Sequence, residues 1–224
     1  MKADANILLD VQGLSLKFEN RLLFEPLSFS VQPGEFVAIV GRSGSGKTSL
    51  LRSIAGKTPS QQGSIENFSQ DTLCYGTIYQ DLELAEGATT INNALSGCLG
   101  RYSTWQTLFG FPGHEKEKAY ELLDRLGLTG QINQWTSTLS RGERQRLAIV
   151  RTLLADPCIL LADEPVASLD SEWAFQVLEL LQEFAKSGEK CVICSLHDAN
   201  QVERFADQII RIQPPESHPD HTKS

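Results

Sequence analysis

Residues 36–56 read FVAIVGRSGSGKTSLLRSIAG, and this pattern indicates the fold of the chain. The first five of these residues form a short apolar run of β-rich composition, which predicts a buried strand. A glycine-rich loop follows, and then a helix that Gly56 is expected to end. Gly41, Gly46, Lys47 and Thr48 fit the pattern G-x-x-x-x-G-K-[ST]. Because the pattern lies between a predicted strand and a predicted helix, it predicts a phosphate-binding loop.

Such a loop binds phosphate groups for simple physical reasons. Glycines allow the backbone N–H groups to curl around phosphate oxygens, and the helix N-terminus adds the positive end of its dipole. In this pattern Lys47 reaches the β- and γ-phosphates, and the Thr48 hydroxyl is a ligand for Mg²⁺. The alternative is an ordinary glycine turn, but it does not explain why strand, loop and helix follow one another in register. The sequence therefore predicts a nucleotide site.

A second stretch, LLADEPVASLD at residues 160–170, ends an apolar run in two adjacent acids, Asp163 and Glu164. A nucleotide site needs another carboxylate contact to Mg²⁺ at the end of a neighbouring parallel strand, and Asp163 fits that role. Glu164 leaves the strand at a different angle and is placed to orient and deprotonate the attacking water. From spacing alone, Glu164 as a solvated turn residue stays open as the alternative.

The rest of the chain alternates predicted strands and helices, which indicates an α/β fold with a mainly parallel sheet. We predict a P-loop NTPase core with antiparallel strands at its N-terminal end. A helical subdomain is expected at about residues 88–155 by its apolar periodicity. The whole is expected to be one domain over residues 1–212. The polar, proline-rich residues 213–224 are expected to be a disordered tail.

Composition excludes several classes of protein. The chain has 224 residues, a net charge of −8, and 41% hydrophobic and 21% charged residues. The acidic balance argues against a general nucleic-acid surface. The first residues, MKADANILLD, lack the features of a secretion signal. No apolar run approaches the roughly 18 residues that would span a bilayer, so other chains are expected to cross the membrane if this one serves it.

Five cysteines are present, and together with the missing export signal this odd number indicates a reducing, cytosolic setting. Cys191 and Cys194 have the spacing C-x-x-C within a predicted buried strand. Residues three apart on a strand point to opposite faces, so a shared metal ion or a disulfide is not expected. We predict that both are core residues.

The stretch TLSRGERQRLAIVR, residues 138–151, carries a further signal. Ser140 and Glu143 have the S-x-x-E spacing of a capping box, and an apolar-periodic run follows them. An ordinary helix start would explain this spacing. However, a glycine-containing helix N-terminus is also an anion site, and one nucleotide does not obviously need two such sites in one chain.

With these motifs the chain resembles the ATP-binding subunits of ABC transporters. Their signature loop is usually LSGGQ, and residues 139–143 read LSRGE, so Arg141 and Glu143 depart from the family. The resemblance extends from about residue 8 to residue 212 and includes the family's motifs in the family's order. It places Phe18 against the adenine, Gln80 in the Q-loop, Asp170 in the D-loop and His197 as the switch histidine.

The resemblance implies a head-to-tail dimer in which ATP is held between the P-loop of one subunit and the signature loop of the other. It implies that Gln80, Glu164 and His197 are catalytic and that Thr48, Gln80 and Asp163 hold Mg²⁺. Asp170 belongs to the D-loop, and the signature loop in trans is Ser140, Arg141, Gly142 and Glu143. It assigns ATP binding to Phe18, Gly41, Arg42, Ser43, Gly44, Ser45, Gly46, Lys47, Thr48 and Ser49.

Within the family the chain looks most like the ATP-binding subunits of phosphonate importers. The segment 94–113, rich in glycine and aromatic residues, is the most specific feature of this likeness. Its aromatic residues are either core of the helical subdomain or part of a contact with a membrane partner: Tyr102, Trp105, Phe109 and Phe111.

The implied partners are a second ATP-binding subunit in a homodimer, integral membrane permease subunits and, indirectly, a periplasmic or extracellular substrate-binding protein. No nucleic acid is expected. The implied location is the cytoplasmic face of the cell membrane, where the chain would be peripheral. The alternatives are a subunit of another importer or of an exporter, a soluble ABC protein acting on ribosomes or DNA, and an ABC-like component of a phosphonate-degrading complex.

Overall fold

The structure is a computed structural model that describes residues 7–18, 21–58, 62–69, 74–79, 81–103, 110–213 and 215. The strands in these ranges are β1 (Leu9–Ser15), β2 (Lys17–Phe18), β3 (Arg21–Leu22), β4 (Leu27–Val31), β5 (Phe36–Val40), β6 (Gln62–Asn67), β7 (Tyr75–Ile78), β8 (Ile159–Asp163), β9 (Cys191–Ser195) and β10 (Gln208–Arg211). The α-helices are α1 (Lys47–Ile54), α2 (Thr90–Ser96), α3 (Gly113–Arg125), α4 (Arg141–Ala155), α5 (Ser171–Lys186) and α6 (Ala199–Phe205).

Five parallel strands form the central sheet, in the order β10-β5-β9-β8-β7. All residues of β8 and β9 are buried, as expected for a parallel sheet that is covered on both faces. The strands run in one direction, so β5, β8 and β9 end at the same edge of the sheet. In the register, Ser195 lies between Ile39 on β5 and Asp163 on β8. This edge is where the predicted site residues converge.

An antiparallel sheet of order β4-β1-β6 and a two-stranded ribbon of β2 and β3 lie at the N-terminal end of the chain. The predicted fold class, a mainly parallel sheet with N-terminal antiparallel strands and inserted helices, is confirmed. Strand β6 was not predicted, because its sequence, QGSIEN, has one apolar residue and no alternation. It is a mostly exposed edge strand, and its pairing with β1 defines it.

Helices α2, α3 and α4 lie between β7 and β8 along the chain and pack against one another. Helix α2 ends at Ser96, and Gly97–Arg101 follow it as a 3₁₀ turn. At Gly97 a Cβ atom would overlap the carbonyl of Arg151 on α4, so glycine lets this turn approach the backbone of α4. Helix α4 begins at Arg141, directly after Ser140, where the capping box predicts a helix start.

Two hydrophobic clusters fill the two sides of the parallel sheet. The first contains apolar residues of α2 to α6, and the second contains those of α1 and the antiparallel strands. Cys194 belongs to the first cluster and Cys191 to the second, which confirms that they point to opposite faces. Both are free, buried thiols, and burial raises the pKa of each. The structure thus confirms them as core residues.

Among the described residues, no helix has the length and apolar character that crossing a bilayer requires. Of the predicted tail, residues 213–224, the structure describes only Gln213 and Pro215.

Candidate functional site

The glycine-rich loop connects β5 to α1, which begins at Lys47. Gly44 and Gly46 have positive φ angles, 76° and 98°, and Gly46 is the N-cap of α1. A Cβ atom on Gly46 would also lie 2.9 Å from the ring of Phe24. Backbone conformation and close packing therefore both require glycine at position 46.

Lys47 and Ser45 supply buried donors in this loop. Lys47 is 5% exposed, and its Nζ donates to the carbonyl oxygens of Gly41, at 3.0 Å, and Arg42, at 3.3 Å. The buried Ser45 hydroxyl has no hydrogen-bond partner in the part of the chain that the structure describes. An ammonium group and an unsatisfied hydroxyl on a helix N-terminus suit an anion. A cleft of about 260 Å³ is lined by Leu23, Ser43, Gly44, Gly46, Lys47, Thr48, Ser49 and Glu164.

Asp163, the last residue of β8, lies beside Thr48. Its carboxylate accepts hydrogen bonds from Thr48 Oγ1 to Oδ2, at 2.6 Å, and from Ser195 Oγ to Oδ1, at 2.8 Å. Asp163 is 2% exposed, and the ion pairs found among the described residues do not include it. A buried carboxylate without a cation is costly, so this position suits a bound cation.

The donor set at this position fits Mg²⁺. This ion is usually held by one or two carboxylates and by substrate phosphates, with water as the remaining ligand. The described residues hold no group of three or more histidine, cysteine or acidic residues that would form an all-protein metal cage. Thr48 and Asp163 are the two predicted ligands that the structure brings together. The third, Gln80, lies outside the described residues.

Glu164 turns away from Asp163. Its φ angle is 51°, in the left-handed region, where a residue with a side chain is strained by about 1–2 kcal/mol. Its backbone N–H donates to Ser195 Oγ at 2.8 Å. Its carboxylate oxygen Oε1 lies 2.5 Å from Nε2 of His197. The carboxylates of the two adjacent acids therefore contact different residues. This geometry favours separate roles for them over a solvated turn at Glu164.

The signature loop lies at the start of α4. Ser140 is the N-cap: its backbone N–H donates to Glu143 Oε2 at 2.7 Å, and its Oγ accepts from the N–H of Glu143 at 3.3 Å. The predicted capping box is confirmed. Arg141 is exposed, and it lines a cleft of about 430 Å³ together with Gln145, Glu164, Ala167 and Ser168.

The predicted D-loop residue Asp170 caps α5, where its carboxylate accepts from the N–H of Trp173 at 3.0 Å. The Arg146 guanidinium lies 4.2 Å from the centre of the Trp173 ring, which also packs against Gly127. Asp170 therefore has a local capping role. Trp173 joins the start of α5 to α4 and to the end of α3. No sequence motif indicated this role.

Several predicted residues lie outside the described part of the chain. They are the side chain of Phe18, Gln80, and two aromatic residues of the 94–113 segment, Trp105 and Phe109. The other two aromatic residues of that segment, Tyr102 and Phe111, are partly buried against the first hydrophobic cluster. For this pair the structure favours the core interpretation.

Ser195 is a site residue that sequence reasoning missed. It ends the buried strand β9 and bonds both Asp163 and the backbone of Glu164. The signal was a hydroxyl at the end of an otherwise apolar run, CVICS, beside a predicted histidine motif. Using that signal requires knowing that β9 pairs with β8 in this register.

Comparisons with known proteins agree with this geometry. The model of the ABC transporter family matches residues 24–167. The phosphonates import ATP-binding protein PhnC 2 of Pseudomonas savastanoi pv. phaseolicola is 36% identical over 93% of this chain and 82% of its own length. The corresponding PhnC 2 of a Nostoc species is 40% identical over 85% of this chain and 82% of its own length.

Solved structures support the same assignment. An ATP-binding cassette in a dimeric post-hydrolysis state, bound to ADP and Pi, has a TM-score of 0.77 and 26% identity over 92% of this chain and 94% of its own. A metal-chelate type ABC transporter in an inward-facing conformation also has a TM-score of 0.77, with 28% identity over 93% of this chain and 80% of its own. This chain belongs to the ABC transporter family, and it is an ATP-binding and ATP-hydrolysing subunit of that family.

Proposed function

We propose that this chain hydrolyses ATP to power an importer of a phosphonate or a related phosphorus oxyanion. One observation carries the choice of substrate: relatives named as phosphonates import ATP-binding proteins are 36% identical over 93% of the chain. Nothing in the nucleotide site itself selects the transported molecule, so the substrate class rests on this similarity.

The proposed reaction is attack by water on the γ-phosphorus of ATP. The bond between the γ-phosphorus and the β–γ bridging oxygen breaks, and ADP, inorganic phosphate and a proton are released. The glycine-rich loop would hold the phosphates with its N–H groups, and Lys47 would offset their charge. Glu164 would accept the proton of the attacking water. The contact between His197 and Glu164 would orient that carboxylate.

Thr48 and Asp163 would hold Mg²⁺, with Gln80 as the third protein ligand that the family resemblance implies. When bound, the ion neutralises developing charge on the phosphates. The contact between Thr48 Oγ1 and Asp163 Oδ2 supports this assignment, because the two oxygens lie 2.6 Å apart and could bind the same ion. Asp163 has the burial expected of a carboxylate whose charge a bound cation balances.

We further propose a homodimer in which Ser140 and Gly142 contact the γ-phosphate of the partner's ATP. The start of α4 at this loop supports this, because a helix N-terminus offers backbone N–H groups and the positive end of its dipole to an anion. Permease subunits would bind at a groove of about 600 Å³ lined by residues 81–84, 86, 136, 139, 141 and 144. Arg151 holds one wall of this groove, as its Nη2 donates to the carbonyl of Leu82 at 2.9 Å. The chain would then lie at the cytoplasmic face of the membrane.

Growth on defined phosphorus sources tests the substrate. A strain without this gene would be supplied with phosphate, phosphite or an aminoalkylphosphonate alone, and complemented with the wild-type gene or with Lys47→Ala. We expect loss of growth on the phosphonate or phosphite, rescue by the wild-type gene, and no rescue by Lys47→Ala. Because Lys47→Ala should fold but not hydrolyse ATP, it separates ATP-driven transport from a role that needs only the presence of the protein.

Two other outcomes would redirect the assignment. Normal growth of the deletion strain on all three sources would remove the phosphonate assignment while leaving the ATPase in place. Full rescue by Lys47→Ala would indicate an assembly role, as in a phosphonate-degrading complex, in place of transport.

A further inference from the structure

We propose that Ser195 is a positioning residue for ATP hydrolysis, whose single hydroxyl sets the direction of the Asp163 carboxylate and the backbone of Glu164. The proposal rests on the roles proposed above for these two acids. Comparing Asp163→Asn with Ser195→Ala distinguishes failure of those roles from failure of the role of Ser195.

The chemical nature of its two partners determines where the Ser195 hydroxyl donates and where it accepts. A backbone N–H only donates, so Glu164 N–H must donate to a lone pair of Ser195 Oγ, at 2.8 Å. An ionised carboxylate only accepts, so the hydroxyl proton of Ser195 points to Asp163 Oδ1, also at 2.8 Å. Ser195 is fully buried and Asp163 is 2% exposed, so water does not compete for either bond.

The first consequence concerns Asp163. Ser195 holds Oδ1 while Thr48 contacts Oδ2, so the plane of the carboxylate is set from both ends. Without the hydroxyl of Ser195, Oδ1 would be a buried acceptor with one bond fewer, and the carboxylate would be free to rotate about χ2. Hydrogen-bond partners of metal-ligating carboxylates orient them, and their loss typically costs about 10–100-fold in metal affinity or activity.

The second consequence concerns Glu164. Its backbone is in the left-handed region, with φ at 51°, which a side-chain-bearing residue adopts only when its surroundings hold it there. The bond from Glu164 N–H to Ser195 Oγ is one of those restraints. If it is lost, the backbone gains freedom to relax, and the Glu164 carboxylate would move relative to His197.

The position of Ser195 in the sheet explains how one hydroxyl reaches both acids. Ser195 and Asp163 are paired residues of the parallel strands β9 and β8, at the point where both strands end. On its other side Ser195 is paired with Ile39, two residues before the glycine-rich loop. The hydroxyl therefore lies at the centre of the row that joins the loop, Asp163 and Glu164.

The test compares Ser195→Ala with Ser195→Thr in the purified full chain. Ser15→Ala is the matched control, since Ser15 is also buried in a strand but its hydroxyl donates to Gln62 in the antiparallel sheet. Three measurements would be made on each protein, the last of which gives two constants. They are the binding of a fluorescent ATP analogue without Mg²⁺, the Mg²⁺ concentration that gives half of the additional binding, and kcat and KM for hydrolysis.

For Ser195→Ala we expect unchanged binding without Mg²⁺, about a 10-fold higher half-saturating Mg²⁺ concentration, and a kcat lower by about 10-fold or more. Ser195→Thr keeps the hydroxyl and should restore both values to within about threefold of wild type, because the same hydrogen bonds can form. Ser15→Ala should change none of the three. A purely structural role would instead lower thermal stability without moving the Mg²⁺ response.

The proposal is overturned if Ser195→Ala keeps the wild-type Mg²⁺ response and kcat, whatever its melting temperature. Asp163→Asn separates the proposed metal role of Asp163 from the proposed role of Ser195. If Asp163→Asn also leaves the Mg²⁺ response unchanged, the proposed metal role of Asp163 fails. If Asp163→Asn abolishes the response and Ser195→Ala does not, only the role of Ser195 fails. Should Ser195→Ala not fold, Ser195→Cys, whose thiol is a weak donor, decides by the same criteria.

Discussion

Two regions of this molecule have proposed roles in phosphate binding and hydrolysis, and they are built in different ways. The proposed catalytic cluster, defined as Thr48, Asp163, Glu164 and His197 together with the positioning residue Ser195, is joined by hydrogen bonds between distant parts of the chain. Thr48 and Asp163, for example, are 115 residues apart. The signature loop, residues 139–143, is held by a capping box between residues three apart. The cluster therefore depends on the sheet, whereas the loop is largely a property of one helix start.

This difference predicts a division of effects. Changes in the catalytic cluster should impair hydrolysis while leaving association with a second chain intact. Changes at the signature loop should impair association while leaving nucleotide binding by one chain intact.

Glu164→Gln should lower kcat at least about 100-fold, the scale of a lost general base, because an amide does not accept the proton of water. ATP binding should stay within about twofold of wild type, since the glycine-rich loop and Lys47 are unchanged. Phosphate release and binding of a fluorescent nucleotide would measure the two. Glu203→Gln, an exposed position on α6, is the control. Turnover near the wild-type rate would remove Glu164 from the role of base.

Ser140→Arg should weaken ATP-dependent dimerisation by at least about 50-fold, as expected when a central interface position is overfilled and carries an unpaired charge. Nucleotide binding by the monomer should be unaffected. Light scattering with and without ATP would measure the mass, preferably in the Glu164→Gln background, where ATP is not consumed. Asn133→Arg adds the same charge at an exposed position of the same helical region. Dimers that persist in Ser140→Arg would argue against a composite site.

Glu115→Gln should destabilise the fold by about 2 kcal/mol, because it breaks the ion pair between the buried Glu115 carboxylate and the partly exposed Arg101 guanidinium. Glu115 Oε2 lies 2.8 Å from Arg101 Nη2, and Oε1 accepts from the hydroxyl of Tyr102 at 2.7 Å. This network joins the 3₁₀ turn after α2 to the start of α3. Here the helical region depends, like the cluster, on contacts between separate elements.

The pH dependence checks the cause of this effect. Burial alone would raise the pKa of Glu115, but hydrogen bonds from Tyr102 and Cys98 and the charge of Arg101 lower it below 4.5. The stabilisation is thus present above pH 4.5 and lost as the pH falls through the lowered pKa. The free-energy difference between wild type and Glu115→Gln, measured by urea unfolding, should shrink over that range. Glu117→Gln, exposed on the same helix, should show no such difference.

The same division explains what could be predicted from the sequence. The glycine-rich loop, the start of α4 and the capping box were predicted because each is encoded in a few consecutive residues. Ser195 was not predicted, because its partners are known only once β8 and β9 are paired. The role of Trp173 was not predicted either, because it packs against Gly127, which follows α3, and against Arg146 of α4. Strand β6 depends on β1, and it carries almost no apolar signal of its own.

Glu143→Gln should have the smallest effect, because it restores the residue that the family usually has and keeps the capping box. Hydrogen bonds from Ser140 lower the pKa of Glu143, so its stabilisation is present above pH 4.5 and disappears as the pH falls through the lowered value. We expect a loss of about 0.5 kcal/mol at pH 7, the scale of an acidic residue in the first turn of a helix. Urea unfolding at pH 7 and pH 4 would measure it.

Dimerisation of Glu143→Gln should equal that of wild type, because the amide preserves the helix start that Ser140 and Gly142 present. Ser140→Ala is the informative companion, since it removes the cap itself and should cost about 1 kcal/mol of stability. If Glu143→Gln instead changed dimerisation several-fold while leaving unfolding untouched, the charge of Glu143 would act across the interface. The signature loop would then be no longer a local structure but, like the catalytic cluster, a site defined by groups distant in sequence.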